Sequence, residues 1–518
     1  MSVIFRPRVF ELSLIRAYDG ARWLAALGAG RRPVLLDSAA TGVAASNGGG
    51  PFSLLGFDPL QGVGAVPQTL AELRPYLAQL EVAEGAELPG PFYGGFLGAL
   101  SFELGVAGEA PPAAVQLGEA TPRIIGGLFV DFLVHDHGTE RSYLVLGDEP
   151  GDGRPPLEAR RRSVEQALAR GKAPPAAKPA GPLLRHTEPV EHRRRVEEAR
   201  ASIRRGELYQ ANLAHRFTRS MTGHPRDIYA ALRKANPAPY AAYVPWGQEE
   251  DGAPVGALLC ASPELLLEYD GQLARTRPIK GTAPRGSTPG EDARLARELL
   301  ASRKDLAELT MIVDLERNDL GRVAQTGSVR VEGLPTLQSL ASVHHLFADV
   351  LARPRPGQGA LELLAALFPG GSITGAPKLA AMELIAELEG EERGFFTGSA
   401  GFIDCRGQAC FNILIRTLVW RRRGGAQAGE VSYHVGGGIT WASQAAAEDA
   451  ETLDKGAALA AALEGVGPRA GDGAGNGTGN GAGAGADDEA RAGADDEAGA
   501  GAGAVACETL PSAGKARA

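Results

Sequence analysis

The feature that most constrains the fold is a set of short apolar runs that recurs near both ends of the chain. Five of these runs lie at 33–39, 51–57, 91–100, 123–136 and 142–148, and three more at 394–404, 409–420 and 430–440. Runs of this kind, bounded by glycine and proline, are typical of β-strands. Helical spacing of apolar residues appears at 69–80 and 378–390. The pattern therefore predicts strands from both halves, with helices between them.

Composition excludes several classes of protein. The 518 residues are 44% hydrophobic and 22% charged with a net charge of −9, which argues against a general nucleic-acid binder. The chain contains no apolar run of about 18 residues and starts without a signal-like segment, so we expect no membrane span and no secretion. Four scattered cysteines suggest reduced thiols in a cytoplasmic protein.

Changes in composition divide the chain into four parts. Residues 1–150 hold the first strands, and the Pro-, Ala- and charge-rich residues 151–185 are predicted to be a linker. Residues 186–465 resume the pattern of helices and strands. Residues 466–518 are nearly all Gly, Ala, Asp and Glu, and such a segment cannot bury enough apolar surface to offset its chain entropy. We therefore expect a disordered tail.

One lysine stands out in the stretch TRPIKGTAPRG at 276–286. Two prolines and two glycines flank Lys280, which predicts a stiff, positively charged loop after the strand LLLEY. A lysine amine that is partly desolvated, or close to other cations, has a lowered pKa and can act as a nucleophile. An ordinary solvated loop lysine is the alternative interpretation.

Two pairs of carboxylates have helical spacing. Asp305 and Glu308 are three residues apart on one predicted helix, and Glu448 and Glu451 on another, which places each pair on one helix face. If the two pairs face each other, their oxygen ligands would favour Mg²⁺ over zinc. Two solvated acidic faces are the competing explanation.

Two glycine-rich stretches could present bare backbone N–H groups to an anion. GGSITGAPK lacks the GK[ST] ending of a nucleotide-binding loop, but it precedes a helix and includes Lys378. The second stretch is Gly436 to Gly438. Two anion loops and a cation would suit a substrate with more than one carboxylate. Ordinary tight turns explain the same residues.

The chain resembles a known family in an ordered set of motifs. They are SPELLLEY, RPIKGTAPRG, DLAELTMIVDLERNDLGRV, SVHHLF, GSITGAPK, NILIRTL, VGGGIT and EDAETLDKG. This order is similar to that of the chorismate-utilising enzymes over about 194–463, and residues 33–59 resemble the amino-terminal part of the family more weakly. The resemblance implies an α+β fold of two large, mostly antiparallel sheets packed as a sandwich with helices outside. Both halves of the chain would then build the sheets.

Within the family, two positions suggest a reaction. Lys280 resembles the lysine of the branch that aminates chorismate at C4, the aminodeoxychorismate synthases, whereas the anthranilate synthases usually carry alanine there. Gln210 stands where water-using members carry a lysine, which favours ammonia as the nucleophile. Anthranilate synthesis is the alternative. No glutaminase-like region is present, so the resemblance also implies a separate glutamine amidotransferase subunit that supplies ammonia.

The resemblance assigns roles to further residues. Glu264 is similar to the acid that protonates the departing C4 hydroxyl, and Lys280 to the nucleophile that adds at C2. Glu308 and Glu451 resemble direct Mg²⁺ ligands, with Asp305 and Glu448 acting through water. The remaining positions that resemble substrate contacts are Gln210, Thr282, His345, Lys378, Phe396, Arg416, Gly437, Gly438 and Lys455. Phe396 departs from the family, where a tyrosine is common.

Overall fold

The computed structural model describes residues 3–12, 18–39, 52–60, 66–106, 121–148, 153–171, 175–340, 343–425 and 428–464. These residues belong to one compact unit that extends from Met1 to Gly471. The predicted tail lies outside the described residues. Strands and helices are numbered below along the chain.

The larger sheet has 14 strands in the described part of the chain. They are β1 Val3–Glu11, β2 Val34–Asp37, β3 Phe52–Gly56, β4 Leu80–Val82, β7 Phe132–Asp136, β8 Arg141–Asp148, β9 Lys178–Pro179, β10 Leu184–Arg185, β11 Gln210–Thr222, β12 Tyr240–Trp246, β13 Gly256–Ser262, β19 Gly375–Ala376, β22 Thr417–Arg422 and β23 Ala428–Ile439. The order is β10-β11-β23-β22-β13-β12-β2-β3-β7-β8-β1-β4, and β9 and β19 also pair with β11. Only the β1–β4 pair within it is parallel.

The smaller sheet has nine strands in the same described ranges. They are β5 Gly95–Leu100, β6 Ile124–Phe129, β14 Leu265–Tyr269, β15 Ala274–Arg277, β16 Ile279–Pro284, β17 Arg330–Ser339, β18 Val343–Ala352, β20 Ser399–Asp404 and β21 Ala409–Asn412. The order is β16-β18-β15-β14-β21-β20-β5-β6, with β17 on β18. Both sheets therefore combine strands from the two halves of the chain.

A shared apolar layer joins the two sheets. Leu54, Phe132 and Val244 of the larger sheet belong to the same buried cluster as Leu97 and Phe402 of the smaller one. Fully buried apolar side chains each contribute about 1.5–3 kcal/mol relative to exposure, so this layer is a main source of stability. The predicted α+β class with two large, mostly antiparallel sheets is confirmed.

Helices cover the outer faces of the sheets. They are α1 Gly20–Leu27, α2 Leu70–Leu77, α3 Phe102–Val106, α4 Leu157–Arg170, α5 Pro189–Arg204, α6 Pro225–Ala235, α7 Pro289–Leu300, α8 Arg303–Gly321, α9 Ala360–Leu367, α10 Lys378–Glu389 and α11 Ala445–Leu463. The smaller sheet packs against α2, α7, α8 and α9, and the larger sheet against α1, α4, α6 and α11. No helix in the described ranges is both long and apolar enough to cross a membrane.

The interpretation of 151–185 as a linker was wrong. These residues include helix α4, which packs against α1 and β8 and buries Val164 completely. Strands β9 and β10 add to the edge of the larger sheet through β11. Alanine and charge enrichment signalled a solvated segment, but a helix with one apolar contact face has the same composition.

The expected loop around Lys280 was also wrong. Lys280 lies in strand β16, paired with Leu346 of β18, and the register shifts between Lys280 and Thr282. Gly281 sits at this shift with φ of +74°, a conformation that glycine adopts without strain. A bulge therefore interrupts strand β16 beside Lys280 and changes the direction of the strand. The two prolines lie at strand ends and do not stiffen a loop.

Candidate active site

Lys280 extends from the bulged strand towards the glycine-rich stretch before α10. Its Nζ donates a hydrogen bond of 3.1 Å to the carbonyl oxygen of Ser372. Gly281 lies so close to α8 that a Cβ added there would meet the Asp305 side chain at 3.0 Å. The bulge therefore brings the lysine, the first turn of α8 and the glycine-rich stretch together.

Glu264 lies just before β14 and is 4% exposed. The backbone N–H of Ile279 donates to its Oε1 at 3.4 Å, which holds the carboxyl beside the lysine strand. Desolvation raises the pKa of Glu264 although Lys280 opposes the shift. Desolvation likewise lowers the pKa of Lys280, against the attraction of Glu264 and Glu308. Because burial outweighs the mutual attraction, the pKa of Glu264 shifts towards the neutral acid and that of Lys280 towards the neutral amine.

The four predicted metal carboxylates lie on two helices that reach the same region. Ser302 caps α8 by accepting from the N–H of Asp305, which places Asp305 and Glu308 in its first two turns. Glu448 is 6% exposed in the first turn of α11, whereas the Glu451 side chain is 50% exposed.

Charge interactions connect these four carboxylates. Desolvation is the main reason that the pKa of Glu308 is raised. The charges of Asp305 and Glu448 raise it further, while Lys280 and Lys304 oppose the shift. The neighbouring negative charges that raise the pKa values of Glu308 and Glu448 form a site that a cation would stabilise.

The donor set fits Mg²⁺, since it offers only carboxylate oxygens and no nitrogen or sulfur. All four carboxylates are in the described part of the chain, yet no three of them have oxygens within 4.8 Å of one another. Lys455 Nζ also lies 2.8 Å from Glu451 Oε1. A cation bound partly through water fits this spacing better than one bound by four direct carboxylates.

Gln210 faces the second glycine stretch. It is completely buried, and neither its Oε1 nor its Nε2 has a hydrogen-bond partner within the described residues. A Cβ added to Gly438 would lie 3.0 Å from that Nε2, and one added to Gly437 would lie 3.3 Å from Glu448 and 3.5 Å from Lys455. Glycine at these two positions therefore leaves space between the backbone and the Gln210 amide and the charged groups. A buried amide without hydrogen-bond partners indicates a site for a polar ligand.

Three predicted substrate contacts gather at the other end of β16. Thr282 Oγ1 and His345 Nδ1 are 3.0 Å apart. Desolvation lowers the pKa of His345 to about 4, so the imidazole is neutral at pH 7. Arg416 has φ of +53° and makes no side-chain ion pair within the described ranges, and desolvation lowers its pKa. An unpaired, desolvated guanidinium is an anion site.

Two other predicted contacts have different partners. Lys378 Nζ donates to Asp319 Oδ2 at 2.7 Å and to the carbonyl of Leu367, so its charge is neutralised inside the protein. Phe396 stacks on His434 with ring centroids 5.2 Å apart. The structure therefore brings neither side chain to Lys280 by a direct contact, and the ion pair with Asp319 contradicts a free Lys378 ready for a substrate carboxylate.

Sequence reasoning missed Ser372 and Glu316. The Ser372 carbonyl accepts the hydrogen bond from Lys280, and the Ser372 side chain interacts with Glu264. Glu316 of α8 is 1% exposed and accepts a hydrogen bond of 3.0 Å from Thr276 Oγ1. Desolvation and the charge of Glu264 raise its pKa well above the ordinary value. Ser372 lies in a motif already singled out, but the burial of Glu316 depends on a helix–sheet contact that spacing does not reveal.

The sequence model of the chorismate binding enzyme family matches residues 51–461, a range that includes every residue of this site. The chain belongs to the chorismate-binding enzyme family. This chorismate-binding enzyme is 38% identical over 438 residues to anthranilate synthase component 1 of Streptomyces coelicolor, covering 81% of this chain and 82% of that protein. It is 34% identical over 439 residues to aminodeoxychorismate synthase component 1 of Bacillus subtilis, covering 80% and 90%. Because these relatives are named for two different reactions, the specific product has to be argued from the chemistry of the site.

Solved structures agree with this assignment. Anthranilate synthase component I from Streptococcus pneumoniae superimposes on this chorismate-binding enzyme with a TM-score of 0.65 at 29% identity, covering 78% of this chain and 91% of that one. The menaquinone-specific isochorismate synthase of Escherichia coli gives a TM-score of 0.68 at 19% identity, with 89% and 95% covered, and shares the fold.

Proposed function

We propose that this enzyme is an aminodeoxychorismate synthase component I, which converts chorismate and ammonia into 4-amino-4-deoxychorismate. The observation that carries the proposal is the pocket shared by Lys280 and Glu264. Burial there raises the pKa of Glu264 and lowers that of Lys280, and both shifts are towards the uncharged forms that a general acid and a nucleophile need. A lysine that served only as a positive charge would have to stay protonated. Solvent or an ionised carboxylate favours that form, and burial opposes it.

The proposed reaction uses these two groups in sequence. The Lys280 amine forms a C–N bond at C2 of chorismate while the C4–O bond breaks. Glu264 gives its proton to the departing hydroxyl, which leaves as water. The new substituted ammonium at C2 returns one proton to the Glu264 carboxylate. Covalent catalysis thereby divides one difficult displacement into two allylic steps.

The second step releases the enzyme. Ammonia forms a bond at C4, the C2–N bond breaks, and Glu264 protonates the leaving Lys280 amine. The incoming nitrogen then loses a proton to the Glu264 carboxylate, which restores the acid. Gln210 supports this choice of nucleophile, because its unpartnered amide can hydrogen-bond a small polar molecule but cannot act as a base.

Charged and backbone groups around the lysine would hold the carboxylates of chorismate. Arg416 lacks an ion-pair partner in the described chain, and Lys455 lies beside the open backbone of Gly437. Asp305, Glu308, Glu448 and Glu451 would hold Mg²⁺, which supplies positive charge for a substrate carboxylate when bound. Fixing the substrate at both ends lets the amine meet C2 at contact distance.

A partner subunit is part of the proposal. Both relatives named above are called component 1, and a glutamine amidotransferase is the kind of second component that would deliver ammonia to this site. The isolated chain should therefore use ammonium salts and fail with glutamine. Glutamine turnover by rigorously purified chain would contradict this part of the proposal.

Anthranilate synthesis is the second candidate, favoured by the 38% identity with the Streptomyces coelicolor enzyme. It would add ammonia at C2 and eliminate pyruvate, and it gives Lys280 no covalent role. Product identification separates the two. Purified enzyme, chorismate, an ammonium salt and Mg²⁺ should yield 4-amino-4-deoxychorismate by mass spectrometry, without anthranilate or pyruvate.

A covalent adduct tests the role of the lysine directly. Wild-type enzyme with chorismate and no ammonia should gain a substrate-derived mass on the peptide that contains Lys280. Lys280→Ala should lack it yet still bind chorismate and turn over slowly, since ammonia is small enough to attack directly. Lys234→Ala, an exposed lysine of α6, is the matched control and should form the adduct. Full activity of Lys280→Ala without any wild-type adduct would favour anthranilate-type chemistry.

A further inference from the structure

Two groups of histidines with a carboxylate lie outside the candidate active site. One consists of His135, His137 and Glu140, and the other of His192, His215 and Asp449. In each group, three potential ligand atoms lie within 4.8 Å of one another. Burial and ligand type alone would make both groups candidates for a metal ion, so the surrounding charges must separate them.

The positive charges around the second group disfavour a bound cation. Asp449 already forms an ion pair with Arg185, and the Arg193 guanidinium lies 3.6 Å from its other oxygen. A metal ion there would have to displace an arginine or stand next to two of them. We therefore assign no metal to this group.

The first group lies at the end of the hairpin formed by β7 and β8. His135 pairs with Ser142 across the hairpin, and the chain turns through His137 to Glu140. The His135 side chain is 2% exposed, and its Nε2 has no hydrogen-bond partner in the described chain. Glu140 Oε2 lies 3.7 Å from that nitrogen, while the Glu140 side chain itself is 70% exposed. A metal ion would therefore approach His135 Nε2 from the side of the exposed Glu140 carboxylate.

The hydrogen-bond network fixes which nitrogen of His137 has a lone pair. Ser53 Oγ donates its hydrogen to Asp37 Oδ1 at 3.2 Å and accepts from the N–H of Ser38 at 2.9 Å. Its remaining lone pair faces His137 Nε2 at 2.8 Å, and we assign this nitrogen as the donor in that hydrogen bond. The lone pair is then on His137 Nδ1, which is buried without a partner among the described residues.

We propose that His135, His137 and Glu140 bind Zn²⁺ or a similar divalent transition-metal ion. Two imidazole nitrogens and a carboxylate are ordinary zinc ligands, and a water would be the fourth. Tetrahedral ligands about 2.0–2.1 Å from zinc are roughly 3.3 Å apart, close to the 3.7 Å between His135 Nε2 and Glu140 Oε2. This pair is therefore already close to the spacing of two zinc ligands, and the His137 ligand atom lies within 4.8 Å of both.

The charges around this hairpin favour a cation. Asp136, Asp37 and Glu140 act on the two histidines, and the one opposing guanidinium in that set, Arg233, is bound to Asp37 at 2.6 Å. Burial lowers the pKa of His135 to about 4 and also lowers that of His137, so both rings are neutral at pH 7 and keep their lone pairs. Ser53 behind His137 is the outer partner that orients a metal-binding imidazole.

Zinc titration of the full chain tests the site. The protein should be freed of metal, supplied with excess Mg²⁺ to occupy the active-site carboxylates, and titrated with Zn²⁺ in a calorimeter. We expect one equivalent to bind. His137→Gln and Glu140→Gln should each weaken binding by about tenfold or more. Co²⁺ in place of Zn²⁺ should give the visible absorption of a tetrahedral site, and the same variants should lose it.

A matched control keeps the test decisive. His186→Gln removes an exposed histidine outside the group and should leave zinc affinity unchanged. Because Glu140 is exposed, its variant should keep the wild-type melting temperature in the absence of zinc. The proposal is overturned if the wild type takes up no zinc, or if both variants bind it as tightly as the wild type does.

Discussion

Glu264 in the Lys280 pocket and Glu451 among the carboxylates of α8 and α11 have pKa values shifted in opposite directions. Glu264 is 4% exposed and shares its space with one amine, whereas the Glu451 side chain is 50% exposed beside Lys455. Desolvation raises the pKa of Glu264, but Lys455 lowers the pKa of Glu451 in spite of desolvation. Burial therefore outweighs the neighbouring charge at Glu264, whereas the neighbouring charge outweighs burial at Glu451.

This difference matches the two tasks in the proposed reaction. Groups that transfer protons or attack carbon work best when their pKa values are shifted towards the working pH, and burial supplies that shift. Groups that hold a cation must stay ionised, so partial exposure and the nearby Lys455 suit Glu451 to that task. Experiments that alter one side and spare the other can therefore break or sharpen the comparison.

The largest expected effect comes from removing the buried acid. Glu264→Gln keeps the size of the side chain but cannot donate a proton to a leaving hydroxyl. Loss of a general acid typically costs about 10²–10⁴ in rate, so kcat should fall in that range while KM for chorismate changes little. Steady-state kinetics with ammonium salts measure both constants.

The matched control is Glu268→Gln in β14, the strand that begins directly after Glu264. Its carboxylate is 45% exposed and pairs with Arg275 at the surface, so its removal should leave kcat within about twofold of the wild type. If Glu264→Gln behaves like this control, burial of Glu264 serves stability and not proton transfer.

Among single substitutions, a smaller effect is expected on the carboxylate side. Removal of metal with EDTA should abolish activity, and Mg²⁺ should restore it. Glu308→Gln should weaken Mg²⁺ activation by about 10–100-fold, and part of the lost rate should return at high Mg²⁺, because an excess of cation compensates for a weaker site.

Activity as a function of Mg²⁺ concentration measures this change. Asp314→Asn is the control, since it removes one charge from the same helix at a side chain that is 76% exposed. Equal Mg²⁺ dependence in Glu308→Gln, Asp314→Asn and the wild type would show that the pair at Asp305 and Glu308 is only a solvated acidic face.

The smallest effect concerns Glu316, which lies behind the acid. Its pKa is raised well above 4.5 in the folded protein, first by desolvation and then by the charge of Glu264. The folded state therefore holds a proton that the unfolded state releases, so this contribution to stability is full below about pH 4.5 and is lost as pH rises towards the raised value.

Glu316→Gln removes that dependence and keeps an acceptor for Thr276. Its melting temperature should exceed that of the wild type by about 1–3 °C near pH 8, and the difference should shrink towards pH 5. Thermal unfolding at a series of pH values provides the measurement. A variant that is less stable than the wild type at pH 8 would mean that Glu316 is ionised and stabilised by a charge.

Much of the candidate site could be predicted from local patterns. The i, i+3 spacing placed Asp305 with Glu308 and Glu448 with Glu451, because helix geometry is a local property. The proline at the start of α7 and the serine before α8 mark helix ends for the same reason. Strands in both halves also followed from short apolar runs.

Other features depended on distant contacts and could not be predicted in this way. The sequence around Lys280 predicts a loop, because prolines and glycines usually break strands, but pairing with β18 makes it a bulged strand. Lys378 looks free in its motif, and only the approach of α8 supplies Asp319. The helix at 157–170 was hidden because its single buried contact, Val164, lies in a polar segment.

The amino-acid sequence by itself determined the presence of strands in both halves of the chain, the two carboxylate pairs, the nucleophile candidate and the family motifs that carry them. These depend on residue type and on spacings shorter than two helical turns. The tertiary structure alone decided which charges are buried together. It placed Glu264 against Lys280, Glu316 behind Glu264, and His135 and His137 beside Glu140 with lone pairs unused. Protonation states depend on desolvation by residues far apart in the chain, and only the packed sheets and helices supply that burial.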